Sequence, residues 1–178
     1  MKIAIFYGST TCYTEMVAEK IQAFLQADPQ WANAEIALHN IKTTPLSRMQ
    51  AYEVLILGIS TWDFGELQED WEAHWSEIAD VDLTGKIIAI YGMGDQIGYS
   101  EWFVDAMGML DEAIAPQQLQ RIGFWPTEGY DFMKSKAVTP DGEWFVGLAL
   151  DEENQYDLTD DRLLQWTGQL CEEILELQ

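Results

Sequence analysis

Basic residues are scarce in this chain. Nine Lys and Arg stand against 31 Asp and Glu over 178 residues, for a formal net charge of −22. Proteins that hold nucleic acid neutralise its phosphates with Lys and Arg, so no nucleic-acid partner is expected. Anionic membrane surfaces are disfavoured for the same reason, and no run of about 18 apolar residues exists to span a bilayer. No basic leader and long apolar segment precede the first strand, so no secretory signal is expected. The only two cysteines, Cys12 and Cys171, are too few for a disulfide framework. Together these absences point to the cytoplasm. His39 and His74 have no Cys or His at ligand spacing, so no metal is expected. An acidic surface instead suits steering towards basic protein partners. Its self-repulsion favours a monomer.

What is present is a folded α/β chain. Apolar residues make up 48% of it, enough for a sizeable core at this length. Strand-like runs lie at Ile3–Tyr7, Glu35–His39, Glu53–Gly58, Lys86–Tyr91 and Leu119–Trp125, and the middle ones are continuously apolar, as in strands covered on both faces. Helical spacing links Val17, Ile21, Phe24 and Leu25. It also links Leu67, Trp71, Trp75 and Ile78; then Phe103, Met107, Leu110 and Ile114; then Leu163, Leu170, Ile174 and Leu177. Thr159-Asp160-Asp161 is a start signal for the last helix. Residues 44–51 carry at most one or two turns. Alternation of this kind predicts a doubly wound five-stranded parallel sheet, order 2-1-3-4-5, with helices on both faces. Residues 126–158 break the rhythm and contain a further strand-like run, Trp144–Leu150. They are read as an insertion at the fifth strand of one domain spanning 1–178.

The amino-terminal strand ends in Gly8-Ser9-Thr10-Thr11-Cys12-Tyr13-Thr14, a hydroxyl-rich turn that opens a helix. Backbone N–H groups and a helix N-terminus aimed at one point bind anions. A nucleotide triphosphatase loop would carry Gly-Lys followed by Ser or Thr, yet no Lys or Arg lies between Lys2 and Lys20. The loop is suited to holding one phosphate by neutral hydrogen bonds. In a doubly wound sheet, ligands sit beyond the carboxyl ends of the strands at the switch in strand order. The loops meeting there hold Ser60-Thr61-Trp62-Asp63-Phe64-Gly65-Glu66 and Gly92-Met93-Gly94-Asp95-Gln96-Ile97-Gly98-Tyr99. Trp62 and Tyr99 offer aromatic faces to a planar ring. One phosphate loop and two aromatic loops suggest a site for flavin mononucleotide (FMN).

On these motifs the chain resembles the flavodoxins over nearly its whole length. The segments 123–130 and 145–151 resemble the insertion of their long-chain subgroup. The resemblance implies that Ser9, Thr10, Thr11, Cys12, Tyr13 and Thr14 bind the FMN phosphate and that Trp62 and Tyr99 sandwich the ring. Ser60, Thr61, Asp63, Phe64, Gly65, Met93, Gly94 and Asp95 complete the expected set. It implies that the peptide at Asp63-Phe64, or its neighbour, reorients to accept the N5 hydrogen of the half-reduced ring. It also implies a low-potential one-electron carrier, not an enzyme, fed by a flavodoxin reductase and serving acceptor proteins. Two positions depart from the family pattern. Cys12 stands where many members have Gly, which predicts a slightly altered loop. Ser60 replaces a common Pro, which predicts a looser loop under Trp62. An FMN-dependent NAD(P)H:quinone reductase is the alternative on the same fold. A receiver domain is disfavoured, because Tyr7-Gly8-Ser9 replaces the carboxylates that strand one would need. Cys171 is read as core, and the carboxylates of residues 151–153, 157 and 160–161 as solvated faces.

Overall fold

The structure is a computed structural model that describes residues 1–178. Strands β1 (Lys2–Tyr7), β2 (Glu35–Asn40), β3 (Val54–Trp62) and β5 (Ile87–Met93) pair in parallel in the order β2-β1-β3-β5. The period-two alternation of a strand sorts their side chains into two cores of 24 and 22 buried residues. Phe6, Leu57 and Ile90 face one layer with Trp71, Met107 and Leu110. Ile5, Ile56 and Tyr91 face the other with Ile21, Leu163 and Leu170. The two cores are nearly equal in size, so these strands read as unbroken apolar runs. Helix α1 (Tyr13–Ala27) and helix α4 (Thr159–Glu176) cover the second face. Helix α3 (Asp105–Ile114) and the short α2 (Glu69–His74) cover the first.

The fifth strand is split. Its first part, β6 (Gln120–Arg121), pairs with the start of β5, and Ile122 N–H adds one bond to Ile88 O at 3.0 Å. Gly123 then takes φ +78 and turns the chain away. The strand expected to reach Trp125 therefore stops short. Its second part, β9 (Leu148–Leu150), pairs in parallel with Tyr91–Met93 at the other end of β5. The run read as one strand from Trp144 is thus two, β8 (Trp144–Phe145) and β9. Gly147 lies between them, so close to the sheet that a Cβ would sit 2.0 Å from Ile90 O. Strand β7 (Trp125–Pro126) pairs with β8 in a separate small sheet.

Between the two halves of the split strand, Tyr130, Phe132 and Phe145 form an aromatic cluster on Phe103, with ring centroids 5.5–5.8 Å from it. Phe145 meets Phe103 edge-to-face and the other two rings are tilted to it; an edge-to-face pair adds about 0.5–1.5 kcal/mol beyond burial. The Arg162 guanidinium covers the Tyr130 ring at 4.2 Å. The segment is thereby fixed against the loop that leads into α3.

Helices read from the spacing in the sequence are shorter in the structure: Phe103 precedes α3, Leu177 follows α4, and the run from Leu67 to Ile78 is broken up. Leu67 belongs to β4 (Glu66–Leu67), which folds back on Thr61 and Trp62 as a hairpin. Trp75 and Ile78 lie in a tighter 3₁₀ segment, Trp75–Asp80. Residues Leu46–Ala51 form a further 3₁₀ segment. Helix α4 begins at Thr159, where the sequence placed it.

Candidate functional site

The carboxyl ends of β1, β3 and β5 open onto a cleft of about 400 Å³. Its walls are Thr11, Tyr13 and Thr14 from the first loop, Ser60–Asp63 from the second, and Met93–Asp95 with Tyr99 from the third. The volume suits a ligand of cofactor or drug size. Of the residues singled out in the sequence, Ser9, Thr10, Cys12, Phe64 and Gly65 are not wall residues. Ser9, Thr10 and Cys12 belong to the same first loop, and Phe64 and Gly65 to the turn of the second.

The first loop is poor in internal partners. From Ser9 to Glu15 no backbone N–H finds a backbone acceptor; the first helical bond is Met16 N–H to Cys12 O at 2.9 Å. The buried Ser9 Oγ also has no partner. Buried polar atoms are rarely left in that condition. A run of free donors ahead of a helix N-terminus is an anion cradle. Its placement is fixed from below. Gly58 on β3 has no side chain, and a Cβ there would lie 2.1 Å from the Tyr91 ring. That gap lets Tyr91 O–H reach across to donate to Thr14 O at 2.7 Å. Tyr7 O–H donates to Glu15 Oε1 at 2.9 Å. Burial first, and then the Glu15 carboxylate, push the Tyr7 phenol well above its ordinary range, so it remains a donor.

Cys12 takes φ +69, ψ −8 and caps no helix N–H with its side chain. The loop expected to change shape around this residue instead holds it in the left-handed conformation that favours glycine, at a local energetic cost.

The second loop is a hairpin turn between β3 and β4. Asp63 (φ +44) and Gly65 (φ +85) both take left-handed backbone there. Phe64 is thrust outward, 68% exposed, with its ring edge on Trp102 and Tyr99. Trp62 Nε1–H donates to Ser60 Oγ at 3.1 Å. Ser60 thus gives the indole a hydrogen-bond acceptor that a Pro at this position would lack. Thr61 Oγ1 accepts from Ala106 N–H at 2.9 Å and thereby satisfies the start of α3.

The third loop is tied at several points. Asp95 Oδ1 accepts from Gly98 N–H at 2.7 Å and from Ile97 N–H at 3.1 Å. Gln96 is 1% exposed; its Nε2–H donates to Asp151 at 2.8 Å and its Oε1 accepts from Asp131 N–H at 2.6 Å. Asp151, expected on a solvated face, has no exposed surface. Its carboxylate also accepts from Asn154 Nδ2, Asn154 N and Glu153 N. Its neighbours Glu152 and Glu153, together with Trp102, complete the cleft wall. Sequence reasoning missed these three as site residues. They come from segments distant in the chain, and only the paired acidic residues after β9 gave any local signal.

Cys171 is buried, and desolvation raises its thiol to about 11. No group of three His, Cys, Asp or Glu side chains converges as metal ligands do. No helix is long and apolar enough to cross a membrane.

The donor set fits a flavin phosphate at one end and a planar ring at the other. Comparison with known proteins agrees with this geometry. The family profile described as Flavodoxin matches residues 5–166. The chain is 54% identical to Flavodoxin 2 of Salmonella typhi over 176 residues, which is 99% of this chain and 98% of that one. It is 47% identical to a flavodoxin of a Nostoc species over 172 residues, 97% and 96% of the two chains. Among solved structures, Fusobacterium nucleatum flavodoxin bound to flavin mononucleotide superposes with a TM-score of 0.87. That protein is 29% identical, with 97% of this chain and 98% of the other covered. In strand order, loop placement and sequence alike, the chain belongs to the flavodoxin family.

Proposed function

We propose that this protein is a one-electron carrier of low potential that holds FMN non-covalently and serves redox partner proteins. It is an electron-transfer protein, not an enzyme with its own substrate, and the quinone reductase alternative falls away with the family assignment. The observation that carries the reading is the pairing of two features in one cleft. A loop of unpaired donors, including Ser9 Oγ and the N–H groups up to Glu15, adjoins a space walled by Trp62 and Tyr99.

In this reading Ser9 to Thr14 hold the phosphate by hydrogen bonds and the α1 dipole, with no cation beside it in the loop. Trp62 and Tyr99 bracket the ring. Thr61, Asp63, Phe64, Gly65, Met93, Gly94 and Asp95 surround it, and Ser60 accepts from Trp62. FMN supplies the electron storage when bound. The chain contributes orientation, exclusion of water and the electrostatic field. Reduction adds negative charge to the ring, and the carboxylates of Asp63, Asp95, Glu152 and Glu153 at the cleft oppose it.

The net charge of −22 supports docking of a reductase and of acceptor proteins through basic faces of their own. It also supports a monomer. The same composition is consistent with the cytoplasm. Titration of the purified, flavin-stripped protein with FMN tests the reading. Stoichiometric quenching of flavin fluorescence is expected, and FMN fluorescence that stays unquenched would overturn it.

A further inference from the structure

Gln68 is outside the phosphate loop and outside the cleft wall, yet it has no exposed surface. Its carboxamide is committed at both ends. Oε1 accepts from Asp70 N–H at 3.2 Å and Trp71 N–H at 3.3 Å, which caps α2. Backbone N–H groups only donate, so these two bonds fix which end of the amide is oxygen. Nε2 then faces the other way. It donates to Asp70 Oδ2 at 2.9 Å and to Thr10 Oγ1 at 3.2 Å. The same side chain packs against the start of the phosphate loop: a Cβ on Gly8 would lie 2.1 Å from Gln68 Oε1. One buried residue thus joins the hairpin that carries Trp62 to the loop that carries Thr10.

A hydroxyl has one proton to give. Because Thr10 Oγ1 accepts from Gln68, its own proton cannot point at Gln68 and is left to donate elsewhere, and Thr10 lies exposed on the loop. A phosphate dianion offers acceptors alone, so a hydroxyl set in this way is a ready donor to it. The loop has no Lys or Arg, and each oriented donor therefore counts for more.

We propose that Gln68 is a positioning residue that sets the preference for a phosphorylated flavin by fixing the direction in which Thr10 donates. The inference rests on the FMN reading above. Its test compares dissociation constants for FMN and for riboflavin, which lacks the phosphate, by fluorescence quenching in the full-length protein. In Gln68→Met, FMN binding weakens about tenfold while riboflavin changes by less than about threefold, as expected for loss of one oriented donor to a charged group. Gln68→Glu keeps an oxygen over the α2 amides but sets a carboxylate against Thr10, and lowers the FMN-to-riboflavin ratio further. Because it retains the cap, it also supplies the measurement if Gln68→Met does not fold. Thr10→Val lowers the ratio as Gln68→Met does, and the double variant adds no further loss. Equal weakening of both flavins in the Gln68 variants, or additive losses in the double variant, would show that Gln68 only braces the hairpin and would overturn the proposal. A parent protein that binds both flavins equally would overturn the phosphate assignment of the loop, and one that binds neither would overturn the FMN reading itself.

Discussion

Replacing Cys12 by glycine is expected to stabilise the fold, and the size of the effect follows from the backbone. Cys12 holds φ +69, ψ −8, and a left-handed conformation costs an L-residue such as Cys about 1–2 kcal/mol. The side chain is exposed and makes no capping bond, so its removal forfeits no hydrogen bond. Glycine's greater freedom in the unfolded chain offsets about 0.5–1 kcal/mol of that relief. The net gain is about 0.5–1 kcal/mol, or roughly 1–4 °C in Tm for a domain of this length. Urea unfolding of the flavin-stripped protein, followed by far-ultraviolet circular dichroism, measures it. Cys12→Ser controls for loss of the thiol and is expected near the parent value. Cys12→Val adds a branched Cβ at positive φ and is expected to fall below it. A glycine variant no more stable than the serine variant would refute the strain assigned to this residue.

Other outcomes follow from the same geometry. Glu152→Gln and Glu153→Gln are expected to raise the reduction potential of bound FMN. One charge at about 10 Å with an effective dielectric of about 20 contributes about 1.7 kcal/mol, near 70 mV for one electron, and solvent and salt reduce this to tens of millivolts. A redox titration that shows no shift at low salt would contradict the electrostatic account. Asp105→Asn is expected to stabilise the protein at neutral pH. Burial raises the Asp105 carboxyl above its ordinary value, partly opposed by Lys136 N–H at 2.7 Å. A raised carboxyl pKa means that the folded state holds the proton more tightly, so stability falls as pH rises from about 4 through the folded value. The Asn variant keeps the acceptor for Lys136 and should lose that part of the pH slope in denaturation midpoints measured across the acid range. A slope identical to that of the parent would count against the assignment.

The strands of the central sheet were legible because both of their faces are buried: β1, β3 and β5 contain the unbroken apolar runs Ile3–Tyr7, Val54–Leu57 and Ile87–Tyr91. Helix α4 was legible from its start signal and its stripe. The second helix was overextended because Leu67, Trp71, Trp75 and Ile78 keep helical spacing through three different structures: a β4 residue, a short α-helix and a 3₁₀ segment. Spacing alone cannot separate these. The split fifth strand depended on Gly123 turning at positive φ and on β9 returning to β5, a pairing with no local mark. At the site, the three loops announced themselves because each motif is contiguous. Asp151 was misjudged because Gln96, which donates to it through both its backbone and its side chain, lies 55 residues away in the chain. The Cys12 and Ser60 departures were visible in the sequence. Their consequences, a strained turn and an acceptor for the indole, required coordinates.

A cleft that holds FMN and passes electrons one at a time must populate the half-reduced flavin. The most direct test is anaerobic reductive titration of the FMN-loaded protein, followed by visible absorption and electron paramagnetic resonance. Two resolved one-electron steps are expected, with a radical signal that grows through the first equivalent and vanishes through the second, and a second midpoint well below that of free FMN. A single two-electron step at the potential of free FMN, with no radical signal, would contradict the account.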